Sequence, residues 1–175
     1  MTAPYANLMR SIAISLVLFS PYIAFATEAT AQSLTATRPR QATGVVFVCE
    51  HGSVKSLVAM EHFNRKAQEH GLPYRAVARG TAPAPTVPPS VREELLVDGF
   101  DVSSFVPQLL RATDVDNVAL VVSFDDDISK TVGGRTRYLK WDDLPGVLDD
   151  YPRGREAIVR QVDTLIETLA HGASP

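Results

Sequence analysis

The spacing of apolar residues along the chain alternates between that of strands and that of helices. Residues 44–49, Gly-Val-Val-Phe-Val-Cys, form a continuous apolar run, which is typical of a strand buried on both faces of a parallel sheet. From Ser56 the apolar positions recur every three or four residues, and Gly71 ends that pattern. The first unit is therefore predicted to be a strand, a loop and an amphipathic helix, with His62 and His70 on the exposed side of the helix.

Three more segments have the composition of strands. Residues 74–80 alternate between polar and apolar and end at a glycine, residues 117–124 form a second buried run, and residues 136–141 follow a glycine-containing loop. Together with residues 44–49 they predict four strands separated by helical or irregular segments.

The segment between the second and third strands predicts a helix over residues 91–98. Ser90 and Glu93 have the spacing of a capping box at its start, whereas Pro88 or Pro89 would place its first turn slightly earlier. The two alternatives differ only in how the helix begins.

Two other helices are predicted, a short one at residues 106–113 and a long one near the end of the chain. The long helix has apolar residues on one face, namely Ile158, Val159, Val162, Leu165, Ile166 and Leu169. Alternating strands and helices predict an α/β fold of three layers, in which a small, twisted, four-stranded parallel sheet has helices on both faces.

In such a sheet, ligands bind beyond the carboxyl ends of the strands. This edge is predicted to gather three loops: residues 49–56 after the first strand, 123–127 after the third and 142–145 after the fourth. The chain's only cysteine, Cys49, is therefore expected at the entrance of a site.

The N-terminal residues have the pattern of an export signal and not of a folded domain. Arg10 precedes an apolar run at residues 11–26, and small residues follow at positions suited to cleavage. We expect a signal peptide at residues 1–31, a flexible lead-in at 32–42 and the folded domain at 43–172. The apolar run is interrupted by Pro21 and is shorter than a membrane span, so no stable span is expected after cleavage, and the domain is expected in the periplasm or outside the cell.

The composition of the chain indicates which kinds of partner and cofactor to expect. The net charge of −3 and the apolar share of 45% are those of an ordinary globular domain, so nucleic acid is not an expected partner. The four histidines lack the spacing of a metal site, and neither a metal nor a cofactor is predicted. One cysteine allows no internal disulfide, so the domain carries a free thiol.

The loop after the first strand, Cys49-Glu-His-Gly-Ser-Val-Lys55-Ser56, leads into the N-terminus of a helix. Unpaired amide groups and the helix dipole favour an anion there, and Gly52 can adopt the left-handed conformation that an inward-curling loop requires. The same field favours the thiolate form of Cys49, a nucleophile suited to phosphorus or arsenic. Lys55 adds positive charge, and the Ser56 hydroxyl can donate a hydrogen bond to the sulfur.

These residues resemble the signature Cys-x5-Arg-Ser of the low-molecular-weight protein tyrosine phosphatases and the related thiol-dependent arsenate reductases. Residues 79–110 resemble the arsenate-reductase branch, and residues 140–169 are similar to the closing segment of the family. The resemblance implies the three-layer fold of that family and a phosphocysteine intermediate on Cys49. It also implies an oxyanion cradle built from the loop residues Glu50, His51, Gly52, Ser53 and Val54.

In the family, a loop containing Asp-Pro carries the general acid. The resemblance implies that role for Asp143, two residues before Pro145, with Asp142 as its rival. Residues 125–127, three consecutive aspartates after the third strand, are more typical of a solvated turn, although a contact with substrate stays open.

The chain departs from the family pattern at three positions. Lys55 replaces an arginine whose planar fork matches two oxygens of the transition state, and Gly52 replaces an asparagine that braces the loop. Arg79 stands where the family has a small residue; it is either a surface residue or the source of the missing guanidinium. A dithiol relay would need further cysteines near Ser123, and the chain has none.

We therefore expect a cysteine-dependent phosphomonoesterase with Cys49, Lys55, Ser56 and Asp143 as catalytic residues. The expected partner is a phosphorylated small molecule, a phosphoprotein or another tetrahedral oxyanion. Two alternatives stay open: a catalytically silent domain that binds oxyanions or phosphopeptides, and an arsenate reductase that uses a single cysteine and a small-molecule thiol.

Overall fold

The computed structural model describes residues 42–134 and 136–172. Four parallel strands form one sheet: β1 (Gly44–Cys49), β2 (Arg75–Gly80), β3 (Leu120–Phe124) and β4 (Tyr138–Trp141). Their order across the sheet is β2-β1-β3-β4, so β1 and β3 are central. The predicted four-stranded parallel sheet is confirmed. The signal peptide predicted at residues 1–31, and the lead-in except for residue 42, lie outside the described residues.

The central strand β1 divides the core into two parts, because its side chains alternate between the faces of the sheet. Phe47 packs in the larger cluster, with apolar residues of the helices α1 (Lys55–Glu69), α2 (Pro89–Val97) and α4 (Tyr151–Ala170). Val46 and Val48 pack in the smaller cluster on the other face, with the short helix α3 (Ser129–Val132). Helices therefore cover both faces, as the three-layer prediction requires.

The start of α2 follows the proline alternative and not the capping box. Pro88 is the N-cap residue, the helix begins at Pro89, and no side chain caps it. Proline suits this position because its fixed φ is helical and the missing N–H would have no partner in the first turn.

The short helix predicted at residues 106–113 is wrong. Leu109 forms an isolated parallel bridge with Gly80, and only Ala112–Asp114 form a single 3-10 turn. The Gly80 N–H donates to the Gln108 carbonyl at 2.8 Å, and the Gly80 carbonyl accepts from the Leu110 N–H at 2.8 Å. This pairing satisfies the N–H and the carbonyl of Gly80 at the end of β2. The helical spacing of apolar residues at 106–113 gave no sign of it.

The expected exposure of His62 is also wrong. This side chain is buried on α1, in edge-to-face contact with Phe100, and its Nε2 lies 3.7 Å from Asp98 Oδ2. Arg155 from α4 pairs with the same carboxylate at 2.6 Å. The exposed face of the amphipathic pattern is thus partly covered by α4 and the end of α2. None of the helices in the described ranges is long and apolar enough to cross a membrane.

Candidate active site

Cys49 ends β1, and its side chain is almost completely buried at the carboxyl edge of the sheet. Its Sγ lies 3.0 Å from the Oγ of Ser56, which is fully buried in the first turn of α1. The strand and the helix thus bring the thiol and the hydroxyl into hydrogen-bond contact. A hydroxyl in this position can stabilise the sulfur as an anion.

The loop after Cys49 is fixed from one side by residues 81–84. The carbonyls of Cys49, Glu50 and His51 accept hydrogen bonds from the N–H groups of Thr81, Ala82 and Ala84, at 3.1, 2.8 and 3.0 Å. In a trans peptide the N–H of the next residue points the opposite way from the carbonyl. The amides of residues 50–52 therefore face away from this brace.

These amides stay available to a ligand. Among the described residues, the N–H groups of residues 50–54 donate no hydrogen bond to a backbone carbonyl. They precede the N-terminus of α1, where the helix dipole favours negative charge. The loop therefore has the properties of a cradle for a tetrahedral anion.

The tight curl of the loop depends on two glycines that touch. Gly52 has φ +67°, the left-handed conformation expected from the sequence, and a Cβ there would lie 2.8 Å from the Gly80 nitrogen. A Cβ on Gly80 would lie 2.9 Å from both the Glu50 oxygen and the Gly52 nitrogen. A side chain at either position would push the loop away from the end of β2.

The loop borders a cavity of about 250 Å³. Three loops at the carboxyl edge of the sheet contribute its lining, which consists of Cys49, Glu50, His51, Val54, Lys55, Asp125, Gly146, Val147, Leu148 and Asp149. The loops after β1, β3 and β4 therefore meet as the sequence predicted, although the last contributes later residues than expected.

Lys55 connects these three loops. Its Nζ forms an ion pair with Asp125 Oδ2 at 2.7 Å and donates a hydrogen bond to the Leu144 carbonyl at 3.1 Å. The lysine side chain is only 15% exposed, whereas that of Asp125 is 54% exposed. The ammonium group of Lys55 is thus already engaged by a carboxylate.

Each of the three consecutive aspartates has a partner. Asp125, with φ +64°, pairs with Lys55, and Asp126 Oδ2 accepts from the Thr81 hydroxyl at 3.0 Å. Asp127 Oδ1 accepts from the Ser129 N–H at 2.9 Å. Only Asp125 lines the cavity.

The two carboxylates predicted as the general acid do not line the cavity with Cys49. Asp142 pairs with Lys140 at 2.9 Å, and this hydrogen bond raises the pKa of Lys140. Asp143 is exposed and has φ +59°. Leu144 separates it from Pro145 in the sequence. The roles predicted for Asp142 and Asp143 remain predictions, but the structure does not bring these side chains into the cavity.

Arg79 is not among the residues that line the cavity. Its Nη2 lies 3.1 Å from Asp114 Oδ1, and its Nη1 donates to the Ala78 carbonyl at 2.9 Å. Partial burial raises the pKa of Asp114, but the hydrogen bond from Arg79 lowers it further, so that it lies below its usual value. The guanidinium that could replace the family's arginine is bound to this carboxylate.

The remaining loop residues divide between the cavity and the interior. Glu50 and His51 are exposed on the cavity wall, whereas Ser53 is fully buried and, within the described part of the chain, its Oγ has no hydrogen-bond partner. In residues 42–134 and 136–172, no three His, Cys, Asp or Glu side chains come together as a metal site.

Sequence reasoning missed residues 146–149, which form one wall of the cavity. The predicted loop ended at Pro145, because the resemblance to the family's Asp-Pro loop covers only residues up to that proline. Topology could have revealed these residues. The whole connection from β4 to α4 begins at the carboxyl end of a strand, which is where ligands bind in such a sheet.

Residues 44–171 match the family described as low molecular weight phosphotyrosine protein phosphatase. The chain belongs to this family. The match spans the whole region from β1 to the end of α4, so it includes every loop that lines the cavity. No protein of curated function matches the sequence as a relative.

Solved structures of similar fold include phosphatases and arsenate reductases. A low molecular weight protein tyrosine phosphatase from T. tengcongensis is 21% identical, with a TM-score of 0.63 over 73% of this chain and 99% of that one. A YwlE mutant from Bacillus subtilis is 18% identical, with a TM-score of 0.62 over 73% and 99%. An arsenate reductase from Archaeoglobus fulgidus is 21% identical, with a TM-score of 0.55 over 70% and 98%.

These identities establish the common fold. Family membership adds that the chain carries the framework of a cysteine-based phosphatase or arsenate reductase. The choice between these activities depends on the residues of its own cavity.

Proposed function

We propose that this protein is a cysteine-dependent phosphomonoesterase that works through a phosphocysteine on Cys49. The observation that carries the proposal is the position of Cys49, whose Sγ is 3.0 Å from the Ser56 hydroxyl at the wall of a cavity of about 250 Å³. A phosphoryl group in this cavity would meet the thiol on one side and the amides of residues 50–54 around its oxygens.

The chain's own residues suit the two halves of such a reaction. In the first half, the Cys49 thiolate attacks phosphorus and the alcohol leaves; in the second, water attacks phosphorus and the thiolate leaves. The hydroxyl of Ser56 supports the sulfur in both anionic states. The loop amides and the dipole of α1 oppose the negative charge that collects on the phosphoryl oxygens.

The test is hydrolysis of p-nitrophenyl phosphate by the purified protein. We expect turnover that Cys49→Ser abolishes, and a covalent adduct with the mass of a phosphoryl group on Cys49 when the wild type is quenched with acid. The matched control is Ser103→Ala, an exposed serine outside the cavity, which should keep the wild-type rate. Turnover that survives Cys49→Ser would exclude the proposed intermediate.

The second candidate is a silent oxyanion-binding domain, and the observation that favours it is the Lys55–Asp125 pair at 2.7 Å. Losing a donor that acts on developing charge costs on the order of 10²–10³ in rate. A protein with no turnover, whose melting temperature still rises with inorganic phosphate, would fit this reading. A gain of activity in Lys55→Arg would indicate that the loop amides can still bind the phosphoryl group and that only the planar guanidinium of an arginine is missing.

Arsenate reduction with a small-molecule thiol is the third candidate. It draws support from the arsenate reductases among the similar structures. A dithiol relay in the chain is excluded, since Cys49 is the only cysteine, and Ser123 Oγ is bonded to the Tyr138 hydroxyl at 2.7 Å. Arsenate-dependent consumption of glutathione that Cys49→Ser abolishes would identify this activity.

The proposed setting is outside the cytosol, and it rests on the signal-like residues 1–31. There the substrate would be a phosphorylated small molecule or phosphoprotein of the periplasm or exterior. Such a compartment lacks the cytosolic thiol supply, which favours hydrolysis over reduction.

A further inference from the structure

We propose that Asp149 is the general acid of this site, in place of a carboxylate beside Pro145. The inference rests on the proposed phosphatase function and assigns the proton donor that this reaction requires. Its basis is that Asp149 shares a cavity with Cys49, while the two aspartates nearer to Pro145 do not.

No aspartate directly precedes Pro145 in this chain. Leu144 directly precedes Pro145, and its side chain holds no proton to give. Its carbonyl is bonded to Lys55 at 3.1 Å, which fixes the backbone at this point. Asp142 and Asp143 precede this anchor and are exposed.

Asp149 lies on the same loop beyond that anchor, between two fixed residues. Val147 is buried and packs so closely on Gly154 of α4 that a Cβ there would lie 2.9 Å from the Val147 Cα. Asp150 caps α4 by accepting from the Arg153 N–H at 3.1 Å. The carboxylate of Asp149 lies over Gly146, where any Cβ would collide with it.

The carboxylate of Asp149 is not used elsewhere in the fold. Within residues 42–134 and 136–172 it forms no ion pair and accepts no hydrogen bond, unlike its neighbour Asp150 and unlike Asp125 across the cavity. An exposed carboxyl that borders the nucleophile's cavity is free to exchange protons with a bound ester and with water.

A second cavity supports the assignment. It has a volume of about 390 Å³, lies between the first turns of α2 and α4, and shares Val147, Leu148 and Asp149 with the cavity of Cys49. With the phosphoryl group on the cradle, the second cavity is the adjoining space for the leaving group. Asp149 borders both spaces, so in this placement its carboxyl would lie beside the ester oxygen that joins the two parts of the substrate.

The proton balance closes with one carboxyl group. The Cys49 thiolate forms the S–P bond, the P–O bond to the leaving group breaks, and the oxygen takes the proton of the Asp149 carboxyl. The resulting carboxylate then accepts a proton from the water that attacks phosphorus, while the S–P bond breaks and restores the thiolate. The products are the alcohol and inorganic phosphate, and Asp149 is protonated again.

The test compares two esters that differ in their need for a proton. Phenolate is a poor leaving group and p-nitrophenolate a good one, so loss of the acid affects phenyl phosphate more strongly. We expect Asp149→Asn to lower kcat/KM for phenyl phosphate by about 10²–10⁴-fold and that for p-nitrophenyl phosphate by less than about tenfold.

Asp101→Asn is the matched control, because it removes an exposed carboxylate far along the chain and keeps an oxygen for the Ser103 N–H. It should leave both esters at wild-type rates. Equal losses for the two esters in Asp149→Asn, no loss at all, or a leaving-group dependence in Asp143→Asn instead would overturn the inference while the phosphatase function stands. A wild type that hydrolyses neither ester would overturn both.

Discussion

Lys55 stands where the signature that this loop resembles has an arginine. A guanidinium can hold a neighbouring carboxylate and two phosphoryl oxygens together, whereas an ammonium is a compact point charge. In this structure the charge is directed to Asp125 and to a backbone carbonyl. The proposed cradle would therefore depend on backbone amides and the helix dipole more than on a side-chain cation.

This arrangement makes a prediction about phosphate affinity. Asp125→Asn removes a negative charge from the cavity wall and releases the Lys55 ammonium toward a bound anion. We expect the Kd of inorganic phosphate, measured by calorimetry, to fall by about five- to tenfold at low salt and by less at high salt. Lys55→Gln should weaken binding.

Asp127→Asn is the matched comparison, because the amide oxygen can keep the bond from the Ser129 N–H and the residue does not line the cavity. Its phosphate affinity should stay near that of the wild type. Equal tightening in both variants would mean that net charge, and not the pair with Lys55, governs anion binding.

At the scale of elements, the site depends on how the end of β2 supports the loop after β1. Gly80 ends β2, contacts Gly52 and pairs with the segment at Leu109, and residues 81–84 bind the loop carbonyls. The loop is thus shaped from outside by a neighbouring strand, and its own side chains contribute little to that shape.

We expect Gly80→Ala to damage the cradle more than the fold. The added methyl group would lie 2.9 Å from the Glu50 oxygen and the Gly52 nitrogen, both backbone atoms, so the loop must move. Urea unfolding should show a loss of about 1–3 kcal/mol, and phosphate should no longer raise the melting temperature.

Gly44→Ala, at the opposite end of β1, is the control for strand substitution. Its Cβ would meet Val118 Cγ1 at 2.9 Å, the end of a side chain that can rotate. This variant should keep its response to phosphate even if its stability falls. Loss of that response in Gly44→Ala would mean that phosphate binding reports global stability and not loop shape.

At the scale of the whole molecule, α1, the end of α2 and α4 are joined by a polar cluster in which His62 is buried and its partners are partly exposed. His62 lies beside Asp98, which also accepts from the Tyr151 hydroxyl at 3.0 Å and pairs with Arg155. Burial, followed by the charge of Arg155, lowers the pKa of His62 to about 4. The histidine is therefore neutral in the folded domain at neutral pH.

This cluster predicts that the domain loses stability in mild acid. The unfolded chain protonates His62 near its ordinary pKa of about 6.5, and the folded domain does so only near 4, so the unfolded state binds the extra proton between these values. The free energy of unfolding should fall as pH drops through that window, by up to about 3 kcal/mol from this group.

Urea unfolding at pH 7 and pH 5 measures the effect. His62→Gln should flatten the pH dependence, whereas His70→Gln, on the exposed C-terminal end of α1, should keep it. Other groups also titrate in this range, among them Glu61, whose pKa is raised by burial. The test is therefore the difference in pH dependence of the unfolding free energy between variant and wild type. Parallel curves for His62→Gln and wild type would contradict the assignment.

Strand and helix periodicity determined most of the architecture of this protein. The four strands and the long terminal helix follow from local apolar spacing, which needs no knowledge of distant contacts. The alternation of strands with helices predicted that the sheet is parallel, but the order of its strands was not predicted. The chemistry predicted for the loop from Cys49 to Ser56 rests on eight consecutive residues, so it too needs no knowledge of distant contacts. Local spacing failed at residues 106–113, where pairing with Gly80 decides the conformation.

Only the tertiary structure decided what surrounds the thiol. The partner of Lys55 lies 70 residues away in the chain and that of Arg79 lies 35 residues away, so no local pattern reveals either pair. Likewise, Asp149 reaches the cavity of Cys49, and Asp143 does not, because the loop after β4 is held by Lys55 at one end and by α4 at the other. The sequence by itself predicted Cys49 and the loop around it; the packing of three separate loops determined the charges near the thiol.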